Sequence, residues 1–558
     1  MITNSEIADI IELTGKLLIL HDMDANRAKA FGAISFNIDK LETELVEMTD
    51  EEILKQRGLG KSLLATIRQI IDSGTSPELE DLIAQTPEGV LDMFRVKGLG
   101  ASKIKLLWQE QGIDNLNDLQ IACESGKIAE TKGFGEKTQV KILESLAFIK
   151  KQSGKLKMNQ AEELSAAIEE LLIPKFDQLA VVGAIPRKLE TVDKLSFLVG
   201  ADFTAKTEIT EPLEEDMKLS SPYTWRGFVK GHKIPVEISF VNNEKFSQEK
   251  LLRNGAREHF NYVADGQSFH HYVKSNIFDS SEAYYEGFGS KFIVPEMREG
   301  LQEFDWVKEH SNDELISWEG LKGSLHNHSK YSDGKNTLQE MAEACRDLGL
   351  EYFGIADHSQ TAAYASGLTA GRVIQQQEEI DVLNSQMKPF KILKGIESDI
   401  LSDGSLDYEN DILATFDYVV ASVHANLDMD LEKATSRLLK AIENPYTTIL
   451  GHPTGRLLLS RAGYPIDYKK VIDACAANQV VMEINASPYR LDIDWRWIPY
   501  CLEKGVMLSI NPDAHKIEGF QDMHYGVAVA RKAGLTKSMT FNAMPLSEIE
   551  AYLKKVKP

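Results

Sequence analysis

From Gly320 onward, short apolar runs alternate with longer stretches whose apolar residues recur at helical spacing. The runs are SLHNH, YFGIADH, FKILKGIE, YVVASVH, TTILGH, VVMEIN and VMLSINPDAH. Between them lie stretches such as NTLQEMAEACRDLGL, DLEKATSRLLKAIEN and YKKVIDACAANQ. This alternation predicts parallel strands with covering helices, in a barrel-like or open α/β arrangement. Chemistry in such folds gathers at the C-terminal ends of the strands. The earlier part of the chain reads differently. Residues 1–75 and 76–157 are two regions of short amphipathic helices, the second ending in KKQSGKLK. Residues 158–300 mix helix with β-like runs (LAVVGA, LSFLVGA, IPVEISFV), and a polar connector, 301–319, leads to the region 320–558.

A length of 558 residues agrees with several separate cores. Apolar residues make up 43% and charged residues 26%, which excludes a disordered chain. With 62 Lys and Arg against 85 Asp and Glu, the net charge of −23 excludes a polycation that coats nucleic acid, so any such contact is local. Converging carboxylates would instead attract metal cations. Cys123, Cys345, Cys475 and Cys501 form no CxxC pair, as expected of reduced thiols in a cytoplasmic protein. The N-terminus carries no signal-peptide pattern, and no apolar run is long enough for a membrane span, so no membrane partner is expected.

The histidines change the picture most. His326 and His328 lie in HNH, with Asp333 in the following SDG turn. His358 ends YFGIADH, Glu397 ends ILKGIE, His424 ends VVASVH, His452 ends TTILGH, and Asp513 and His515 end SINPDAH. HxH and DxH put both side chains on one face of an extended strand. Asp357, next to His358, should point the other way and serve a supporting role. Imidazoles and carboxylates are the ligands of Zn, Mn and Fe. Nine such groups exceed the needs of one ion and suit two or three ions sharing a carboxylate. Such clusters suit phosphoester hydrolysis.

The segments HNHSKYSDG, IADHS, GIESDIL, DGSLDY, ASVH, GHPTGRLL, EINASPYRLD and NPDAHK resemble the PHP (polymerase and histidinol phosphatase) domain, in the version fused to bacterial family-X DNA polymerases (PolX). The resemblance implies a distorted (β/α)7 barrel with a trinuclear site. His326, His328, Glu397 and Asp513 would hold one ion, Glu397, His424 and His452 a second, and Asp333, His358 and His515 a third. It implies Mn²⁺ for activity, with Zn²⁺ or Fe as other occupants. It also implies 3′–5′ exonuclease chemistry, with abasic-site endonuclease and 3′-phosphatase activity as companions. Arg456 and Arg490, just beyond strand ends, are candidates for pairing with a substrate phosphate, with a surface salt bridge the bland alternative.

Three segments near the N-terminus share a Gly-apolar-Gly core followed by a helical run. These are RGLGKSLLATIRQI with Gly58, Gly60 and Lys61, KGLGASKIKLLW with Gly98, Gly100 and Lys103, and KGFGEKTQVKILESL with Gly133, Gly135 and Lys137. The glycines permit a tight turn, and the free N–H groups of the next helix can hold a phosphate. These segments look like helix-hairpin-helix motifs that grip DNA without reading sequence.

Family-X polymerases carry Gly-Ser, then Asp-x-Asp, then a third Asp. Here Gly183 is kept, Ala184 stands at the Ser, Lys194 and Ser196 at the paired Asp positions, and Glu237 at the third. A lone Glu237 beside Lys194 cannot assemble a two-metal site, so a polymerase-like fold with little or no polymerase activity is expected; the alternative is a misaligned site using Asp193 and Glu237. Lyase-competent relatives of the resembled family place a Schiff-base Lys one helical stretch after the first hairpin, and the matching position here is Thr66, which cannot form an imine.

The resemblance thus predicts a multidomain chain. It would hold α-helical helix-hairpin-helix regions, an α+β nucleotidyltransferase-like palm and thumb, and the C-terminal metallohydrolase barrel. The expected function is a DNA-repair phosphoesterase acting as a monomer on gapped, recessed or damaged DNA without sequence preference. The competing readings are an active gap-filling polymerase with exonuclease, a small-molecule phosphatase of the histidinol-phosphatase type, and a non-catalytic DNA-binding scaffold.

Overall fold

Among the described residues up to 153, the regular elements are helices. Helix Asn4–Leu20 begins at Thr3, whose hydroxyl accepts the Glu6 N–H while the Glu6 carboxylate accepts the Thr3 N–H. Its Ile7, Ile11, Leu17 and Leu18 share one apolar core with Phe31 and Ile38 of helix Ala25–Asp39 and with Ile53, Ile67, Leu107 and Ile142 further along. Three times a short helix stops, the chain turns through glycine, and another helix starts. Asp50–Lys55 leads to Lys61–Ser73, Glu88–Asp92 with its 3₁₀ extension leads to Ala101–Lys105, and Lys127–Glu130 leads to Glu136–Gln152. Gly58, Gly98 and Gly133 have φ of +88°, +87° and +93°, a conformation that costs glycine little and other residues much.

This computed structural model describes residues 2–41 and 43–556. The chain divides into two compact units, Met1–Ser153 and Gly154–Pro558. The second unit opens with the two-stranded ribbon β1 (Leu156–Lys157) and β3 (Thr191–Val192). A five-stranded sheet follows, built from β2 (Leu179–Val182), β4 (Leu195–Gly200), β5 (Leu213–Glu215), β6 (Thr224–Val229) and β7 (Pro235–Val241) in the order β2-β4-β7-β6-β5. Only β4 and β7 run parallel. Burial alternates along β6, as a half-covered strand requires, with Trp225 in the core beside Phe197 and Ile238. The hairpin β8 (Val263–Ala264) and β9 (Gln267–Ser268) precedes an aromatic core of Phe269, Tyr284, Tyr285 and Phe304. The stretch 301–319, expected as a polar connector, contains helix Glu303–Glu309. Its Phe304, Val307, Leu315 and Ile316 are buried, because its few apolar residues sit at helical spacing or face neighbouring cores.

From Gly323 on, each apolar run carries a parallel strand. These are β10 (Gly323–Ser324), β11 (Tyr352–Gly354), β12 (Lys391–Leu393), β13 (Gly395–Asp399), β14 (Tyr418–Ser422), β15 (Ile449–Leu450), β16 (Val481–Asn485) and β17 (Leu508–Asn511). Strands β10 to β12 pair in order, as do β13 to β17, and only Lys394 separates β12 from β13. Parallel bridges join His358 to Glu397 and Asn327 to Ala514, so the two sets meet at both ends. Every residue of β13, β14, β16 and β17 is buried, as expected of parallel strands covered by helices. Alternate side chains enter two cores. Val419, Ala421, Leu450 and Met482 join one with helical Leu338 and Met341, whereas Tyr418, Val420, Ile449 and Val481 join the other. Glu397 and Glu483 lie in register with the second set. Cys123, Cys345, Cys475 and Cys501 are buried and unpaired, and no helix among the described residues is long and apolar enough to cross a membrane.

Candidate metal centre

The nine histidines and carboxylates singled out in the sequence converge at the C-terminal ends of these strands. Glu397 is the hub. Its Oε1 lies 3.2 Å from His326 Nε2, 3.2 Å from His424 Nε2 and 3.0 Å from His452 Nε2. Its Oε2 lies 2.9 Å from His358 Nδ1 and 3.7 Å from His328 Nε2. Asp513 Oδ1 is 3.1 Å from His328 Nε2 and 3.7 Å from His326 Nε2. Asp333 Oδ1 is 3.4 Å from His515 Nε2 and 3.6 Å from His358 Nε2. Four overlapping groups have ligand atoms within 4.8 Å of one another: His328, Asp333, His358 and His515; His326, His328 and Asp513; His326, Glu397 and His452; and His358, Glu397 and His424. In these groups His328 also joins Asp333, His358 and His515, whereas His424 and His452, which both approach Glu397 Oε1, fall in different groups.

The donor set fits divalent cations. His326 Nε2, both ring nitrogens of His328, His358 Nδ1, His452 Nδ1 and Glu397 Oε2 are buried without a hydrogen-bond partner. Leaving such atoms unsatisfied is costly in an apolar interior. Imidazole nitrogen and carboxylate oxygen are what Mn²⁺, Fe²⁺ and Zn²⁺ accept. Electrostatics divide the imidazoles. Burial pushes His328 down to about 3, helped by the neighbouring His515 and His358, so its ring stays neutral. At His424 burial is outweighed by Glu397 and Asp399, which raise it to about 10. At His515 burial is outweighed by Asp333 and Asp513, which raise it to about 9. Glu397 is held far below its ordinary range, since His424, His326 and His358 overcome the cost of its burial.

A surrounding layer fixes the rings. His326 Nδ1 lies 2.7 Å from Glu483 Oε1, so an N–H there donates outward and leaves Nε2 for the cluster. Asn511 also donates to Glu483 Oε1, and the His452 backbone N–H donates to Glu483 Oε2 at 2.6 Å. His424 Nδ1 lies 2.5 Å from Asp399 Oδ1. The sequence reading missed Glu483 and Asp399. Both sit inside strands, and Glu483 interrupts VVMEIN with no ligand spacing to mark it. Asp357 points away from the imidazoles and accepts hydrogen bonds from Ser329, Ser332 and Gln376, as expected of the neighbour of His358.

The two candidate phosphate-binding arginines part company. Arg490 Nε lies 3.5 Å from Asp513 Oδ2, at the cluster. Arg456 does not face the cluster as a free fork. Its Nε and one terminal nitrogen donate to the carbonyls of Arg490 and Leu491, and its other terminal nitrogen donates to Asp494 at 2.7 Å. Arg456 is therefore a brace of loop 490–494, because backbone carbonyls consumed the donors a phosphate would need.

At the family-X positions, Gly183, Ser196 and Glu237 come together: Ser196 is in register with Val182 and with Glu237. Ala184 supplies no hydroxyl. Glu237 is gripped by Lys194 at 2.8 Å and by Arg226 at 2.7 Å. Burial would raise Glu237, but these two cations bring it below its ordinary value. Asp193, adjacent to Lys194 in sequence, is exposed. In the glycine turns, Gly60 and Gly100 are helix N-caps without a capping side chain, and Gly135 has φ +89°. Lys61 and Lys137 are exposed. The Lys103 ammonium donates to the Gly98 carbonyl at 3.1 Å and lies 5.3 Å from the Phe134 ring.

Histidines and carboxylates gathered at parallel strand ends define a metal-dependent phosphoesterase class, and the PHP domain family model matches residues 324–487. Over 98% of its length this chain is 35% identical to the DNA polymerase/3′-5′ exonuclease PolX of Bacillus subtilis (strain 168), covering 99% of that protein. The chain belongs to the PolX family. A probable phosphatase of Thermoanaerobacter sp. (strain X514) is 28% identical over 40% of this chain and 89% of its own length. Another, from Caldanaerobacter subterraneus subsp. tengcongensis, is 31% identical over 28% of this chain and 58% of its own length.

Proposed function

We propose that this chain is a DNA-repair phosphoesterase that removes nucleotides from DNA 3′ ends at the cluster centred on Glu397, and that its polymerase activity is lost. The observation that carries the reading is the contrast in what surrounds two glutamates: imidazoles around Glu397, and Lys194 with Arg226 around Glu237. His326, His328, Asp333, His358, Glu397, His424, His452, Asp513 and His515 would hold up to three divalent ions, Mn²⁺ being the activating one. When bound, such ions supply Lewis-acid stabilisation of phosphate oxygens and acidify water. The chain's own residues do the rest. Glu483 and Asp399 aim His326 and His424, the buried rings keep bulk water out, and Arg490 offers its guanidinium to the phosphate.

Strands β10 to β17, with their joining bridges, support a distorted (β/α)7 barrel, and the sheet β2-β4-β7-β6-β5 supports a degenerate nucleotidyltransferase palm. The domain scheme follows from this: helical regions 1–75 and 76–157, palm and thumb 158–300, connector 301–319 and metallohydrolase 320–558. The glycine turns would grip DNA backbone through helix N–H groups, assisted by Lys61 and Lys137. Replacing both lysines by Ala should weaken DNA binding severalfold and flatten the logarithmic salt dependence by about two charges. The phosphatase relatives favour a companion activity on 3′-phosphate ends at the same cluster.

The test is a Mn²⁺-dependent assay on 3′-recessed, gapped and single-stranded oligonucleotides, with small phosphomonoesters and primer extension in parallel. Shortening from the 3′ end without primer extension is expected. Turnover of small phosphomonoesters alone, or templated extension abolished by Glu237→Ala, would overturn the reading.

A further inference from the structure

Loop 487–497 follows β16 and brings Arg490 to the cluster. The Arg490 guanidinium makes no polar contact shorter than that with Asp513 among the described residues, which leaves most of its N–H fork uncommitted. The loop is braced on one side by its own domain. Arg456 holds the carbonyls of Arg490 and Leu491, and Asp492 accepts the Thr454 N–H at 3.0 Å and its hydroxyl at 2.9 Å.

The other brace comes from the polymerase-like segment. Strands β1 and β3 pair so that Lys157 faces Thr191, and the Met158 N–H donates to the Glu190 carbonyl. The ribbon thus presents Lys157 and Glu190 side by side. Glu190 Oε2 accepts the Trp495 indole N–H at 2.9 Å, and its Oε1 accepts from Arg496 at 2.9 Å. The Lys157 ammonium lies 4.3 Å from the ring centroid of Tyr489, the residue next to Arg490. Trp495 is buried on this contact. The loop is therefore pinned at both ends by side chains that a metallohydrolase domain alone would not possess.

We infer that the β1–β3 ribbon is a working wall of the phosphoesterase site: Glu190 is a positioning residue that, through Trp495 and Arg496, fixes loop 487–497 so that Arg490 meets the DNA phosphate beside Asp513. The inference rests on the proposed phosphoesterase reading for what Arg490 binds. It gives the segment a task that survives the pairing of Glu237 with Lys194.

The experiment uses the full chain loaded with Mn²⁺ and a 3′-labelled single-stranded oligonucleotide, comparing wild type with Glu190→Ala, Glu190→Gln, Arg490→Ala and the double alanine variant. Arg490→Ala should lower kcat/KM about tenfold, the scale of one charge-assisted hydrogen bond. Glu190→Ala should fall in the same direction by a smaller factor with unchanged Mn²⁺ content, Glu190→Gln should recover most of the loss, and the double variant should be no worse than Arg490→Ala. Amide hydrogen exchange across 487–497 should quicken in Glu190→Ala without any DNA present. Losses that multiply in the double variant, or exchange unchanged in Glu190→Ala, would overturn the inference. Should Glu190→Ala not fold, Arg496→Met and Lys157→Ala carry the same exchange measurement. A wild type inert on DNA would instead defeat the phosphoesterase reading, with the exchange result still deciding whether the ribbon holds the loop.

Discussion

Glu237, half-buried, and Glu397, buried, are both carboxylates on parallel-paired strands of one folded unit, and they have opposite company. Glu237 sits between an ammonium and a guanidinium, each within hydrogen-bonding distance. Glu397 faces five imidazoles. The first carboxylate is neutralised by the protein itself and has no need of an outside cation. The second is surrounded by groups that are themselves ligands, so cations brought from solution would satisfy carboxylate and rings together. On the proposed reading, a site is lost or kept according to what the fold supplies as counter-charge, while the carboxylate itself survives in both places.

The strongest way to break this comparison is to neutralise each glutamate. Glu397→Gln should lower Mn²⁺-dependent 3′-end cleavage by about a hundredfold to a thousandfold, the scale of removing a central electrostatic group. Glu237→Gln should leave cleavage within about twofold and cost about 1 kcal/mol of stability or less, because Lys194 and Arg226 are both partly exposed. Equal effects in steady-state kinetics would dissolve the distinction.

Glu483 sharpens the imidazole side. Glu483→Gln keeps the volume but weakens the acceptor of the His326 Nδ1–H and of the His452 backbone N–H. Mn²⁺ affinity, read by calorimetry, should fall about tenfold to a hundredfold, as for other residues that orient metal-bound histidines.

Glu299 repeats the Glu237 arrangement at a third place, where Arg187 at 2.7 Å and the fully buried Lys532 at 2.6 Å neutralise it. Burial lowers Lys532 from 10.5 to about 8, although Glu299 opposes the shift. As pH rises through about 8 the folded state releases this proton while the unfolded chain retains it up to 10.5. The lysine's contribution to stability should therefore rise across that window, by about 3 kcal/mol at most. Denaturant titrations of wild type and Lys532→Met should show the difference growing over that range and flat below it. A difference independent of pH would mean that Lys532 carries its charge folded and unfolded alike.

The smallest expected effect is a reversal. Lys194→Asp with Ser196→Asp places two carboxylates beside Glu237 and should create weak Mn²⁺ binding, detectable by electron paramagnetic resonance, without primer extension. Arg226 would still occupy Glu237 Oε2, and Ala184 would still lack a hydroxyl. Templated extension by this variant would show that Arg226 is no barrier.

These contrasts were unequally legible in the chain. The strand-end histidines were legible because strand periodicity and ligand chemistry coincide at HNH and PDAH, and Lys194 was legible because it breaks an acidic register. Glu483 was not, since a carboxylate inside an apolar run shows no spacing to the rings it orients. Arg456 looked like a phosphate ligand because its donors' backbone partners lie 34 and 35 residues further along the chain. The Glu190–Trp495 contact spans 305 residues and follows from packing alone.

Equilibrium dialysis of the full chain against Mn²⁺, with wild type and Glu397→Gln side by side, tests the central claim most directly. The account requires wild type to retain stoichiometric ions, up to three per chain, and Glu397→Gln to retain fewer while its thermal transition stays cooperative. Equal retention by both proteins, or none by wild type, would contradict it.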